Sequence, residues 1–138
     1  MIRKYTKQDW NKIKILCKDE KYLDDYAVFF KDSHYIVFLF FEQSKLLGTI
    51  VVSRSLDNLN VDYLYVSPIC RGKGIGTKLT SYIEKYAQKK KYAGVRIDTS
   101  ITNKKAIRFY KKLGYKNVGR VKNYYMAFGQ QYFLWKKI

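Results

Sequence analysis

Between residues 71 and 79 the chain reads RGKGIGTKL, with glycines at 72, 74 and 76 among basic and branched residues. Glycine surrenders more backbone entropy on folding than any other residue, so three in alternation mark a place that needs bare backbone. The preceding VDYLYV (61–66) has the β-branched and aromatic make-up of a strand. From Ile75 the apolar residues recur at helical spacing, through Leu79, Tyr82, Ile83, Tyr86 and Ala87. Strand, glycine turn and helix in that order aim free N–H groups and a helix dipole at an anion. A Walker A loop is excluded, because Lys73 is followed by Gly74 rather than by Ser or Thr. The dinucleotide fingerprint fails as well: Thr77 occupies its last glycine position, and the loop lies mid-chain rather than after a first strand.

The elements that must position this loop follow from patterning. IRKYT (2–6) reads as a short strand, followed by a helix with Trp10, Ile13, Leu16 and Cys17 on one face. A weaker helical stretch covers YLDDYAVFF (22–30). YIVFLFF (35–41) and LLGTIVVSR (46–54) form a hairpin across EQSK, a four-residue turn without glycine. After the loop helix, which the lysines at 89–91 close, VRIDTS (95–100) returns to strand. NKKAIRFYKKLGY (103–115) is helical with Gly114 as its stop, and strands at about 116–121 and 131–137 finish the chain. The order β-α-α-β-β-β-α-β-α-β-β describes one α/β domain over residues 1–138, a mixed sheet flanked by helices.

Composition narrows the class. The 138 residues are 47% hydrophobic and 17% aromatic, enough for a packed core. No apolar run approaches the roughly 20 residues that span a bilayer, and the charged start MIRKYTKQDW shows no secretory h-region, so a cytoplasmic protein without membrane contact is expected. Cys17 and Cys70 are too few for a disulfide framework, and the single His34 has no ligand-spaced neighbours, so no metal is expected. Twenty-eight Lys and Arg against eleven Asp and Glu give a net charge of +17, which attracts polyanions. RNP-like and zinc motifs are missing, so nucleic acid is not the expected partner.

Arg71 to Gly76 reads R-x-x-G-x-G, and Asn103 to Tyr115 reads N-K-K-A-I-R-F-Y-K-K-L-G-Y, of the form N-x-x-A-x-x-x-Y-x-x-x-G-[FY]. At this separation the two segments resemble the acetyl-CoA loop and following helix of the GNAT superfamily of N-acetyltransferases. IRKYTKQD is similar to the family's opening strand and helix entry. The resemblance implies the GNAT fold, a mixed, mostly antiparallel twisted sheet of about seven strands with about four flanking helices. It also implies direct acetyl transfer to an amine in a ternary complex.

Residue by residue, the resemblance places the coenzyme A pyrophosphate on the backbone of Arg71, Gly72, Lys73, Gly74, Ile75 and Gly76, with Lys78 adding charge. Leu64, Tyr65 and Val66 match the strand end that pairs with pantetheine, and Asn103 the residue that contacts the cofactor arm. Asn103 also suits a helix N-cap. Tyr110 matches the general acid that protonates the departing thiolate. For the base, Asp98 stands where RimI-type N-terminal protein acetyltransferases place a Glu. Asp62 is the second candidate, although alignment sets Asn60 at the family's other Glu position. KNYY followed by QQYFLW resembles the final hairpin of the RimI type and puts Tyr124 and Tyr125 at the acceptor. Gln130 and Gln131 replace the acidic residues usual there, and CKDEKYLDDYAVFF lacks the expected Pro- and Trp-containing loop. The acceptor is therefore a protein N-terminus or a small amine, with a silent acyl-CoA-binding regulator as a further alternative. The chain is expected to act as a monomer or homodimer.

Overall fold

Two runs of branched and aromatic residues, 35–41 and 46–52, are apolar on both faces, which suits central strands covered by helices on either side. The computed structural model describes residues 1–21, 23–125 and 129–138, and for Leu23, Asp25, Asn123 and Tyr125 the backbone alone. Its strands are β1 (Ile2–Lys4), β2 (Tyr35–Glu42), β3 (Lys45–Ser55), β4 (Asn58–Val66), β5 (Gly94–Ser100), β6 (Lys116–Tyr125) and β7 (Gly129–Lys137). They form one seven-stranded sheet in the order β1-β2-β3-β4-β5-β7-β6. Only β4 and β5 pair in parallel; every other neighbouring pair is antiparallel. The helices are α1 (Trp10–Leu16), α2 (Leu23–Tyr26), α3 (Val28–Lys31), α4 (Ile75–Lys89) and α5 (Lys104–Lys112).

The sheet separates two apolar clusters. On one face Ile75, Leu79, Ile83 and Ala87 of α4 and Ile107 and Tyr110 of α5 pack on Phe38, Ile50, Val95 and Leu134. On the other, Ile13, Leu16 and Cys17 join Phe30, Leu39 and Val51. Cys17 is fully buried, and burial pushes its thiol up to about 11, so it serves as an apolar filler rather than a nucleophile. Arg3 grips the buried Asp9 through two bonds of 2.7 and 2.8 Å, which holds that carboxyl well below the usual range. Because its folded pKa is depressed, the pair's contribution is complete above about pH 4 and is lost as pH falls further.

Four local expectations change. The β2–β3 turn has two residues, Gln43 and Ser44, both left-handed at φ 48° and 65°, so the hairpin is tighter than EQSK suggests. Residues 23–31 form two one-turn helices rather than one helix. β4 begins at Asn58, because the turn at Leu56 and Asp57 is short. β6 continues to Tyr125 and meets β7 at Gly129. Gly94 has a purely steric reason: an added Cβ would clash with Trp135 Nε1, the nitrogen that donates to Asn58 Oδ1.

Candidate active site

The parallel pair makes the site by coming apart. Pairing between β4 and β5 runs from Asn58 and Gly94 to Val61 and Ile97 and then stops. β4 stays paired to β3 as far as Val66, so residues 62–66 turn their other backbone edge toward an open wedge. A cleft of about 970 Å³ occupies that wedge, a size that suits a ligand larger than a single metabolite fragment. A bulge at Asp62 shapes it. Val52 opposes Val61 while Val51 opposes Tyr63, so Asp62 is the extra residue. The slip reverses the faces: Leu59 and Val61 point to the α4–α5 side, then Leu64 and Val66 do so instead. Tyr63 and Tyr65 turn toward the α1 side.

One end of the cleft is built from backbone. Gly72 and Gly74 adopt φ of 77° and 85°, and a Cβ at either would meet no heavy atom within 4 Å. Gly74 is the N-cap of α4 but offers no side-chain acceptor, so the first N–H groups of a fifteen-residue helix face the cleft unsatisfied by a cap. This open, positively polarised cradle fits a pyrophosphate. Gly76 serves differently, since a Cβ built on it would lie 3.3 Å from Phe109 Cζ, so its absence leaves room for the Phe109 ring of α5. Arg71 folds back: its Nε donates to the Val66 carbonyl at 3.0 Å and its guanidinium lies over Tyr65. Leu64, Tyr65, Val66, Arg71, Gly72, Gly74, Ile75 and Gly76 all line the cleft, whereas Lys73 is exposed outside that lining.

Asn103 and Tyr110 come from α5. Asn103 is a working N-cap, its Oδ1 accepting from the Ala106 amide at 3.2 Å and its Nδ2 donating to Thr99 at 3.3 Å. It also borders the cleft, as does the small Ala106 that separates it from Tyr110. Tyr110 is 3% exposed and packs edge-on against Phe109 and Tyr115. Burial pushes its phenol upward, so it carries its proton at neutral pH.

The opposite end is built from side chains. Asp62 and Asp98 each follow the last residue of the β4–β5 pairing, and both line the cleft. Partial loss of hydration beside the cleft raises the proton affinity of Asp62, which keeps an exposed face, and the negative charge of Asp98 adds to it. A Ser53 hydrogen bond, His34 and Arg96 act against the rise. Asp98 receives a 3.0 Å bond from Gln131 Nε2, a partner thirty-three residues away that nothing in the spacing announces. Tyr124, half exposed, sits edge-on to Phe133, which lies opposite Asp98 in the β5–β7 register. Tyr125 closes the hairpin through its backbone; its side chain lies outside the described residues. Among the described residues no cluster of His, Cys, Asp or Glu is placed to hold a metal, and no helix is long and apolar enough to cross a membrane.

Residues 2–115 match the Acetyltransferase (GNAT) family. "Probable N-acetyltransferase 14" of Xenopus tropicalis is 32% identical over 81 residues, 57% of this chain and 39% of that protein. The match thus spans well under half the length of that relative. The ribosomal-protein-S18-alanine N-acetyltransferase of Escherichia coli superposes with a TM-score of 0.85 at 17% identity, over 100% of this chain and 93% of that one. A Bacillus anthracis protein described as a streptothricin acetyltransferase, solved with acetyl coenzyme A, gives 0.73 at 18% identity over 82% and 68%. At those identities the superpositions show the shared fold.

Proposed function

The chain belongs to the GNAT acetyltransferase family and is an acyltransferase, and on that premise we propose that its cleft moves an acetyl group directly from acetyl-CoA to a primary amine. The observation that carries this reading is the polarity of one continuous cleft, with bare N–H groups at one end and two carboxylates at the other. When bound, acetyl-CoA supplies the activated acetyl thioester. Gly72 to Gly76 hold its pyrophosphate, and the open edge of Leu64 to Val66 pairs with its amide arm and holds the acetyl carbonyl. Asp98 accepts the ammonium proton, directly or through one water, and Asp62 stands beside it as the second anion. As the N–C bond forms and the C–S bond breaks, Tyr110 gives its proton to the sulfur, and the second proton of the attacking nitrogen leaves through water to restore the phenol. No acyl-enzyme is needed.

A protein or peptide N-terminus is the favoured acceptor. A carboxylate must strip the amine, and an α-ammonium, at about 8, gives up its proton more readily than a lysine-type ammonium at about 10.4. Tyr124 over Phe133 offers an aromatic wall beside Asp98 against which a peptide backbone can lie. A small amine is the second reading, favoured by two carboxylates sharing one acceptor end. Tyr110→Phe tests the chemistry: kcat should fall about a hundredfold while acetyl-CoA affinity by calorimetry stays unchanged. A parent protein that binds no acetyl-CoA would sink the proposal.

A further inference from the structure

Buried side-chain polar atoms without a hydrogen-bond partner are few among the described residues: Asn60 Oδ1, Arg96 Nε and Gln131 Oε1. All three belong to the face that carries Asp62 and Asp98. Asn60 lies beside Arg96 in the parallel register, and Ser100, two residues beyond Asp98, lies opposite Gln131. Gln131 is the most telling, being 5% exposed. Its amide orientation is fixed by its partner, because an ionised carboxylate only accepts, so the atom facing Asp98 Oδ2 must be the NH₂ group. The carbonyl is then left buried and unpaired, which costs stability. An apolar side chain of similar volume would remove that penalty. Around Gln131 the sheet offers Val121 in register on β6 and the Tyr124–Phe133 aromatic pair on the same face, surroundings that would accept Met or Leu. Among the described residues the Gln131 side-chain amide makes one hydrogen bond, the one to Asp98.

We propose that Gln131 is a positioning residue for the reaction, kept in a site better suited to an apolar side chain because it fixes Asp98 Oδ2 and leaves Oδ1 free for the acceptor amine. This rests on the reading of Asp98 as the base. Asp98 sits one residue past the end of the β4–β5 ladder, so its backbone is held on the β7 side alone, opposite Phe133. A bond from a buried amide on that strand fixes the carboxylate itself, and small displacements of a base are costly to rate.

The full-length chain tests this with Gln131→Met, Asp98→Asn and the double variant. Thiol release from acetyl-CoA is followed with a peptide beginning Ser-Glu and with spermidine, alongside thermal melting and acetyl-CoA calorimetry. Gln131→Met should melt at or above the parent temperature, bind acetyl-CoA unchanged, and lose about tenfold in kcat with little change in the acetyl-CoA KM. In the Asp98→Asn background the same substitution should cost less than about twofold, because its effect passes through Asp98. A kcat within twofold of the parent, a lowered melting temperature, or losses that multiply fully in the double variant would overturn the role. Asp98→Asn with parental kcat removes the base and the positioning role together. Failure of the acetyltransferase reading shows separately, as a parent protein without acetyl-CoA binding, and takes the positioning role with it.

Discussion

The two ends of the cleft are made by different means. At the proposed donor end the chain contributes backbone from two nearby segments, 64–66 and 71–76, with glycines at 72, 74 and 76. At the proposed acceptor end, side chains from different strands come together: Asp62 of β4 and Asp98 of β5 line the cleft, and Gln131 of β7 bonds Asp98. A site made of backbone tolerates exchange of its neighbours but not of its glycines. A site made of side chains depends on strand register, where a slip of one residue sends every group to the other face. The bulge at Asp62 shows how closely that register is specified.

This difference can be broken from either side. Of the changes at the two ends, the larger is expected at the donor end, where Gly74→Val forces a β-branched residue to φ 85° at the helix cap. Acetyl-CoA affinity should weaken about thirtyfold, equivalent to about 2 kcal/mol, while kcat at saturation is retained. Calorimetry with steady-state kinetics checks it, and an equal loss in kcat would mean that the loop shapes the chemistry as well. At the acceptor end, Asp62→Asn should lower kcat/KM for the acceptor about tenfold and leave acetyl-CoA binding intact. Its pH profile carries a sign. Asp62 binds its proton above the ordinary aspartate value of 3.8, so activity should fall on acidification before a free aspartate would titrate. Asp98→Asn removes the neighbouring negative charge and should move the acidic limb of any residual activity to lower pH; a limb that moves upward contradicts the coupling.

The smallest effect concerns the global field. With a net charge of +17, encounter with acidic peptides beginning Met-Glu or Ser-Glu should be accelerated several-fold at low salt relative to spermidine. The local carboxylates act only after arrival, on the ammonium itself. Salt-independent ratios of kcat/KM for the two acceptor types would show that the acceptor end, rather than the net charge, sets the preference.

Much of the donor end was legible because it is contiguous. RGKGIGTKL and N-K-K-A-I-R-F-Y carry their constraints in adjacent letters, and the Asn103 cap and the buried Tyr110 stand as those letters suggest. Even there, composition blurred the roles of individual residues. Gly76 turned out to accommodate Phe109, Arg71 is occupied by Val66 and Tyr65, and Lys73 is exposed outside the lining. At the acceptor end, Asp62 and Asp98 were visible as candidates, but their sharing of one cleft mouth was not. Gln131 gave no signal beyond replacing an expected acid.

By itself the sequence determined the alternation of strands and helices, the glycines that free the loop, and the family to which the chain belongs. These depend on periodicity and on backbone conformation within a few residues, which neighbouring side chains dictate locally. Tertiary structure alone decided where β4 and β5 part, which face each residue takes after the bulge at Asp62, and which partner holds Asp98. Those follow from pairings between residues tens of positions apart, whose register is settled only when the whole sheet closes on its two cores.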